Sequence, residues 1–301
     1  MKYVCMASLM LLFISCKNDD DTVVVNNPTV FGLSYALSGE DFSTTYSNLR
    51  NLLQADANIS ITAEVNHTVN AMDVGQEIRD TRLILFEYPS LATPVLQTSQ
   101  LAGLELPLKM MVYDDADSNV FVAFNSADYI GARCGVNGAS TLPQINSTLN
   151  NFGTTITNVV VSENPSGNVS TGDGIITLVS QNDFSTTYNN LRNAVSDNSE
   201  LEIIAEVDHQ SNAQAAGLDL GPTKVIIFGN PTQATPLLQS AQTMGIDLPL
   251  KILVWEEGDG TVNISYNNID YLATRHAVTG NEEILTQISS LLANLAVNAS
   301  N

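Results

Sequence analysis

The chain has 301 residues, 44% of them hydrophobic and 14% charged, which is enough apolar material for two cores and rules out a disordered chain. Eleven basic against 32 acidic side chains leave a net charge of −21, which argues against binding nucleic acid through its phosphates. Three cysteines cannot make a disulfide scaffold.

Met1-Lys2-Tyr3 is a short cationic start, followed by an apolar run over 4–14. That run is too short to span a bilayer, which takes ~20 residues, and it suits a signal-peptide core. Ser15-Cys16 after Phe13-Ile14 resembles the lipobox of bacterial lipoproteins, in which the chain is cut before the cysteine and the new terminus is acylated. The alternative is an ordinary secretory signal with an incidental Cys16. Residues 1–15 are read as a lipoprotein signal peptide and 16–30 as an acidic tether. The run Lys17-Asn18-Asp19-Asp20-Asp21 resembles the export signal of some surface-exposed outer-membrane lipoproteins. The expected location is therefore the cell envelope, as an outer-membrane lipoprotein exposed at the surface and held to membrane lipid through acylated Cys16; the alternative is a solvated spacer on a lipoprotein that faces the periplasm. So acidic a body is repelled by anionic lipid, and the acyl chains must do the holding.

Residues 41–46, Asp-Phe-Ser-Thr-Thr-Tyr, recur at 183–188, an offset of 142. From 41 to 133 no gap is needed, and 40 of 93 positions are identical at that offset. The pairs include His67 with His209, Thr93-Pro94 with Thr235-Pro236, Lys109 with Lys251 and Arg133 with Arg275. The period is far longer than a solenoid unit, so two homologous globular domains are expected. Their expected bounds are 31–153 and 173–301, with 154–172 as a linker.

In the second copy, 174–180 is a short β-prone run. Asp183 is placed to cap a helix whose Phe184, Tyr188 and Leu191 share one face. The segment 201–209 alternates as a half-buried strand, with Leu201, Ile203, Ala205, Val207 and His209 pointing one way. A short helix or turn over 213–218 follows, then a continuous apolar strand over 224–228, broken by Asn230-Pro231. Thr235 can cap the next helix, with Pro236 at its first position and Gly245 closing it. Strands over 250–256 and 261–267 are joined through Asp259-Gly260, a strong hairpin signal. An amphipathic helix over 284–295 closes the domain.

Val207-Asp208-His209, Ile227-Phe228-Gly229-Asn230-Pro231, Thr235-Pro236-Leu237, Asp247-Leu248-Pro249-Leu250 and Val254-Trp255-Glu256 together resemble the bacterial and archaeal family known as domain of unknown function 302. The resemblance is close over 173–300 and weaker over 31–153. It implies an α+β fold: two β-α-β(4)-α domains, similar to the TATA-binding-protein-like fold, forming an intramolecular pseudo-dimer. The family carries no settled activity, so the resemblance implies a fold and not a reaction.

His209 is the leading candidate site residue, on the apolar side of its strand end with His67 as its repeat partner. It is either a histidine satisfied by a neighbouring loop or a ligand-binding or acid–base group. Asn230, in the strand-to-helix turn Gly229-Asn230-Pro231, and Thr235 are the further ligand-binding candidates. That turn could present backbone N–H groups to an anion. The first copy has Glu87-Tyr88-Pro89 there, a bulky acidic pair that would block such a site. A single working site is accordingly expected in the second domain. Cys134 is expected to be a packing residue. Asp114 to Asn119 lacks the Gly and Glu of an EF-hand and reads as an acidic hairpin tip. The three histidines are not spaced as ligands, and neither a metal nor a cofactor is expected. The leading expectation is a non-enzymatic binding or scaffold lipoprotein whose two domains pair with each other. The alternative is a small-ligand-binding protein or a hydrolytic or acid–base enzyme, centred on His209 and acting on a small polar molecule.

Overall fold

The computed structural model describes residues 25–301, so the expected signal peptide and Cys16 lie outside the described residues. The first half runs β1 (Leu33–Ser38), α1 (Phe42–Ala55), β2 (Ser60–Asn66), α2 (His67–Asp73), β3 (Thr81–Glu87) and α3 (Pro89–Thr98). A 3₁₀ turn (Gln100–Leu104) follows, then β4 (Leu108–Asp114), β5 (Val120–Asn125), α4 (Ala127–Cys134), α5 (Leu142–Thr157) and the short β6 (Ser162–Glu163). The second half repeats the order: β7 (Ile175–Val179), α6 (Phe184–Ser196), β8 (Glu202–Asp208), α7 (His209–Ala215), β9 (Thr223–Gly229) and α8 (Pro231–Ser240). Its own 3₁₀ turn (Gln242–Ile246) leads to β10 (Leu250–Glu256), β11 (Val262–Asn267), α9 (Ile269–Arg275) and α10 (Glu282–Ser300). The fold is α+β in two homologous halves. Each keeps the β-α-β(4)-α frame, with short helices inserted between its strands.

Both sheets are antiparallel. The first has the order β2-β3-β4-β5-β1-β6 and the second β7-β11-β10-β9-β8. Side chains alternate across a strand, and here both faces are covered. In β3 and β4, Ile84, Phe86, Met110 and Val112 pack under the first half's helices, while Leu83, Leu85, Met111 and Tyr113 face the other half. Val225, Ile227 and Leu253 of β9 and β10 complete that shared core. This explains why strands 83–86 and 225–228 read as continuous apolar runs. The layers are helices, sheet, sheet, helices.

The join between halves follows a pseudo-twofold rule. Gln100 donates to Thr223 Oγ1 (2.8 Å) and the Pro222 carbonyl (3.2 Å); Gln242 donates to Thr81 Oγ1 (2.7 Å) and the Asp80 carbonyl (3.2 Å). Each 3₁₀ turn lies on the opposite sheet, and there a side chain larger than hydrogen would force a neighbour aside. A Cβ on Gly103 would stand 2.5 Å from Leu253 Cδ1, and one on Gly245 would stand 2.9 Å from Met111 Sδ. Gly245, expected to close a helix, is instead the contact point of this turn.

Several expected bounds shift for local reasons. Asp183 does cap α6, accepting from Thr186 N at 2.8 Å. The helix expected to start at Thr235-Pro236 starts at Pro231, because Asn230 is the cap that binds Thr232 N (2.9 Å). Thr235 lies inside α8 and donates to the Pro231 carbonyl (2.7 Å). The helix expected over 213–218 begins at His209, capped by Asp208. The expected linker is not plain coil: α5 runs to Thr157, and Ser162–Glu163 pairs with β1.

Candidate functional site

The alternation that places Val65 and Val207 in the shared core also turns His67 and His209 toward the opposite half. Around His67 this leaves a cleft of about 210 Å³. One wall is first-half: Glu64 to His67, with Asn70. The other is second-half: Gly229, Asn230, Pro231, Gln233 and Thr235 from the start of α8, with Leu248 to Leu250 as the floor and Glu202 to Ile204 at the rim. The structure therefore brings three of the four sequence candidates, His67, Asn230 and Thr235, to one cleft between the halves.

His209 is not among them. It occupies the mirror position, where the counterpart of Gly229 is Glu87. Glu87 is 5% exposed, and its Oε1 stands 3.9 Å from His209 Nδ1. The mirror space thus receives a side chain of the protein itself. Neither Glu87 Oε1 nor His209 Nε2 has a hydrogen-bond partner among the described residues. Burial pushes the Glu87 carboxyl up to about 7 and the His209 imidazole down to about 3, with the Lys251 charge adding to the latter.

At the open cleft His67 donates from Nε2 to the Gly245 carbonyl (3.3 Å), and burial holds its imidazole down at about 4. It is a neutral group near pH 7. The amides at the start of α8 are already engaged: Thr232 N donates to Asn230 Oδ1, and Gln233 N and Ala234 N donate to the Asn230 carbonyl. The amides over 232–234 are therefore not available to an anion. Glu64 accepts from Tyr46 (2.7 Å) and Arg50 (2.8 Å), as Glu206 does from Tyr188 and Arg192 in the other copy. Gln233 has its amide oxygen buried without a partner among the described residues.

A second polar centre was not expected from the sequence. On the pseudo-twofold axis, Glu105, Lys109, Asn125 and Arg133 meet Asp247, Lys251, Asn267, Arg275 and His276. Arg133 donates from Nη1 to Glu105 Oε1 (2.6 Å) and from Nη2 to Asn267 Oδ1 (2.8 Å). Arg275 mirrors it, donating to Asp247 Oδ2 (2.7 Å) and Asn125 Oδ1 (2.9 Å). Lys109 crosses the axis to Asp247 Oδ1 (3.0 Å), and His276 donates from Nε2 to Asp247 Oδ2 (2.9 Å). The surrounding cations hold both carboxyls low despite their burial. Three fixed cations against two carboxylates leave one positive charge in excess. Lys251, with only the Leu104 carbonyl at 3.2 Å as its acceptor among the described residues, is pushed down to about 7. The sequence signal was there: Lys109/Lys251, Asn125/Asn267 and Arg133/Arg275 are kept between copies inside apolar stretches. Cys134 is buried beside this cluster, and its thiol is pushed up to about 12, which fits a packing residue. Acidic residues 114–119 form the hairpin tip between β4 and β5, as expected.

Comparison with known proteins bears on the halves separately. The family model described as Domain of unknown function DUF302 matches residues 34–152 and again 176–295. A stretch of 105 residues, 35% of this chain, is 38% identical to the fluoride-specific ion channel FluC 1 of Brucella suis biovar 1 (strain 1330), covering 41% of that protein. A match of the same length and identity covers 38% of the fluoride-specific ion channel FluC 2 of Brucella melitensis biotype 1 (strain ATCC 23456 / CCUG 17765 / NCTC 10094 / 16M). The chain thus spans about two fifths of the length of these relatives. Among solved structures, the uncharacterized conserved protein DUF302 from Bacillus stearothermophilus is 21% identical, with a TM-score of 0.38, covering 42% of this chain and 98% of that one.

Proposed function

The chain belongs to the DUF302 family, with two copies in one polypeptide, and from that premise we propose that it is a non-catalytic small-ligand-binding protein of the cell envelope. The observation that carries this reading is the difference between two equivalent positions: Gly229 leaves a cleft beside His67, whereas Glu87 occupies the matching space beside His209. Concave, largely apolar clefts with a few polar groups are the usual form of small-molecule sites. The cleft holds a neutral histidine, amides, a Thr235 hydroxyl spent on the helix backbone, and two carboxylates, of which Glu64 is engaged by Tyr46 and Arg50 and Glu202 is exposed at the rim, so the reading adopted is binding. An enzyme centred on His209 has less support, because that ring is 1% exposed and packed against Glu87.

Gly229→Glu tests the reading. A Cβ at 229 meets Ile204 and Pro249 only at 3.4 and 3.8 Å, so the backbone accepts a side chain. The variant is expected to keep its fold and to lose any small molecule that co-purifies with the wild type, read by native mass spectrometry. Retention of the same molecule would refute the assignment.

The second part of the proposal is anchorage. Cys16 is acylated, and the protein sits in the outer membrane facing outward. The DUF302 stretch also resembles part of proteins named as fluoride-specific channels, which suits a module that serves different hosts. In this chain no described helix is long and apolar enough to cross a membrane. Cys16→Ala is expected to move the protein from the membrane to the soluble fraction, and protease added to intact cells is expected to digest the wild type.

A further inference from the structure

The open cleft differs from its filled mirror in more than Gly229. Glu202 at its rim corresponds to Ser60 in the first copy, Gln233 to Leu91, and Asn230 to Tyr88. The acceptors Glu202 and Gln233 therefore belong to the open side alone. Gln233 also lines the cleft, although its amide oxygen is turned away from solvent. Glu64 and Glu202 are the charged residues of the lining, which contains no lysine or arginine. Arg50 offsets Glu64, while Glu202 has no ion-pair partner among the described residues. The floor of Leu238, Leu248 and Leu250 is apolar and buried. A volume of about 210 Å³ exceeds the ~150 Å³ known to hold a benzene ring.

We propose that the cleft selects a small amine: a compact apolar body seated on the leucine floor, with a protonated nitrogen at the rim drawn by the Glu202 carboxylate. This rests on the binding reading above and adds the sign of the ligand's charge. An anion gains nothing here, because the α8 amides are engaged and the rim is negative.

The test uses three probes of one shape, benzylamine, benzyl alcohol and benzoate, titrated calorimetrically into the full-length protein in detergent at neutral pH. Benzylamine is expected to bind about tenfold tighter than benzoate, with the alcohol between them, the size of effect one nearby unpaired carboxylate exerts in a half-exposed site. Glu202→Gln is expected to shrink that gap severalfold, and circular dichroism melting checks that this variant stays folded. Equal affinities, or tighter benzoate, overturn the amine assignment while leaving a binding cleft in place. If none of the three binds at millimolar concentration, the binding reading itself falls, and this inference with it.

Discussion

Lys251 is a buried cation that the cluster on the axis does not need, and its substitution by methionine is informative. Burial, with Lys109 nearby, pushes its amine from 10.5 down to about 7. In the unfolded chain the lysine stays protonated through pH 9; in the folded chain it is half protonated at pH 7 and almost wholly neutral at pH 9. The unfolded state thus binds more protons in this window, so stability rises with pH. At about 1.4 kcal/mol per pH unit, Lys251 contributes a gain of about 2 kcal/mol between pH 7 and pH 9. Methionine keeps the stem and removes the proton site. Urea denaturation at pH 7, 8 and 9 measures the effect: the advantage of Lys251→Met over the wild type is expected to shrink by about 2 kcal/mol across the series. Groups remote from Lys251 are common to both proteins and cancel; Glu87, whose carboxyl sits at about 7 and feels the Lys251 charge, is taken out of the comparison by repeating the series in a Glu87→Gln background. Parallel pH profiles would refute the claim that Lys251 is a surplus charge.

Two further substitutions probe the join. Asp247→Asn leaves Arg275 and His276 without their carboxylate and Lys109 with Glu105 alone, and an unbalanced buried pair costs about 3–5 kcal/mol, measured as a lowered denaturation midpoint. Gly103→Ala forces a methyl group into Leu253 and is expected to cost about 1–3 kcal/mol in thermal denaturation, whereas Gly75→Ala, with nothing within 4 Å of the added carbon, loses only through its positive φ.

Strand and hairpin positions were legible because they are written locally. The alternation before His209 and the turn at Asp259-Gly260 each depend on a few neighbouring residues. The repeat disclosed that there are two halves, and Glu87-Tyr88 aligned with Gly229-Asn230 disclosed that the copies differ at this turn, but the cleft is built from both halves and not from the second domain alone. The pairing of residues into a site was not legible. Asn230 and Thr235 were grouped with His209 because they share its copy, yet each copy places its histidine against the α-helix of the other, so their neighbour is His67. Local reading cannot foresee an exchange across an axis. The helix at Pro231 was misplaced because Thr235-Pro236 also satisfies the rule for a helix start, and only the competing Asn230 cap decides between them. The ionic cluster was missed because its members lie up to 150 residues apart in hydrogen-bonded partners, as with Arg275 and Asn125.

The unlike residues at 87 and 229 have a consequence for how such a protein can change over generations. In an assembly of two identical chains, symmetry repeats every substitution on both sides, and a residue that plugs one mouth plugs the other. Joining the partners end to end lifts that constraint. One mouth was free to become mortar while its twin stayed open, so the binding proposed above carries a stoichiometry of one small molecule per polypeptide.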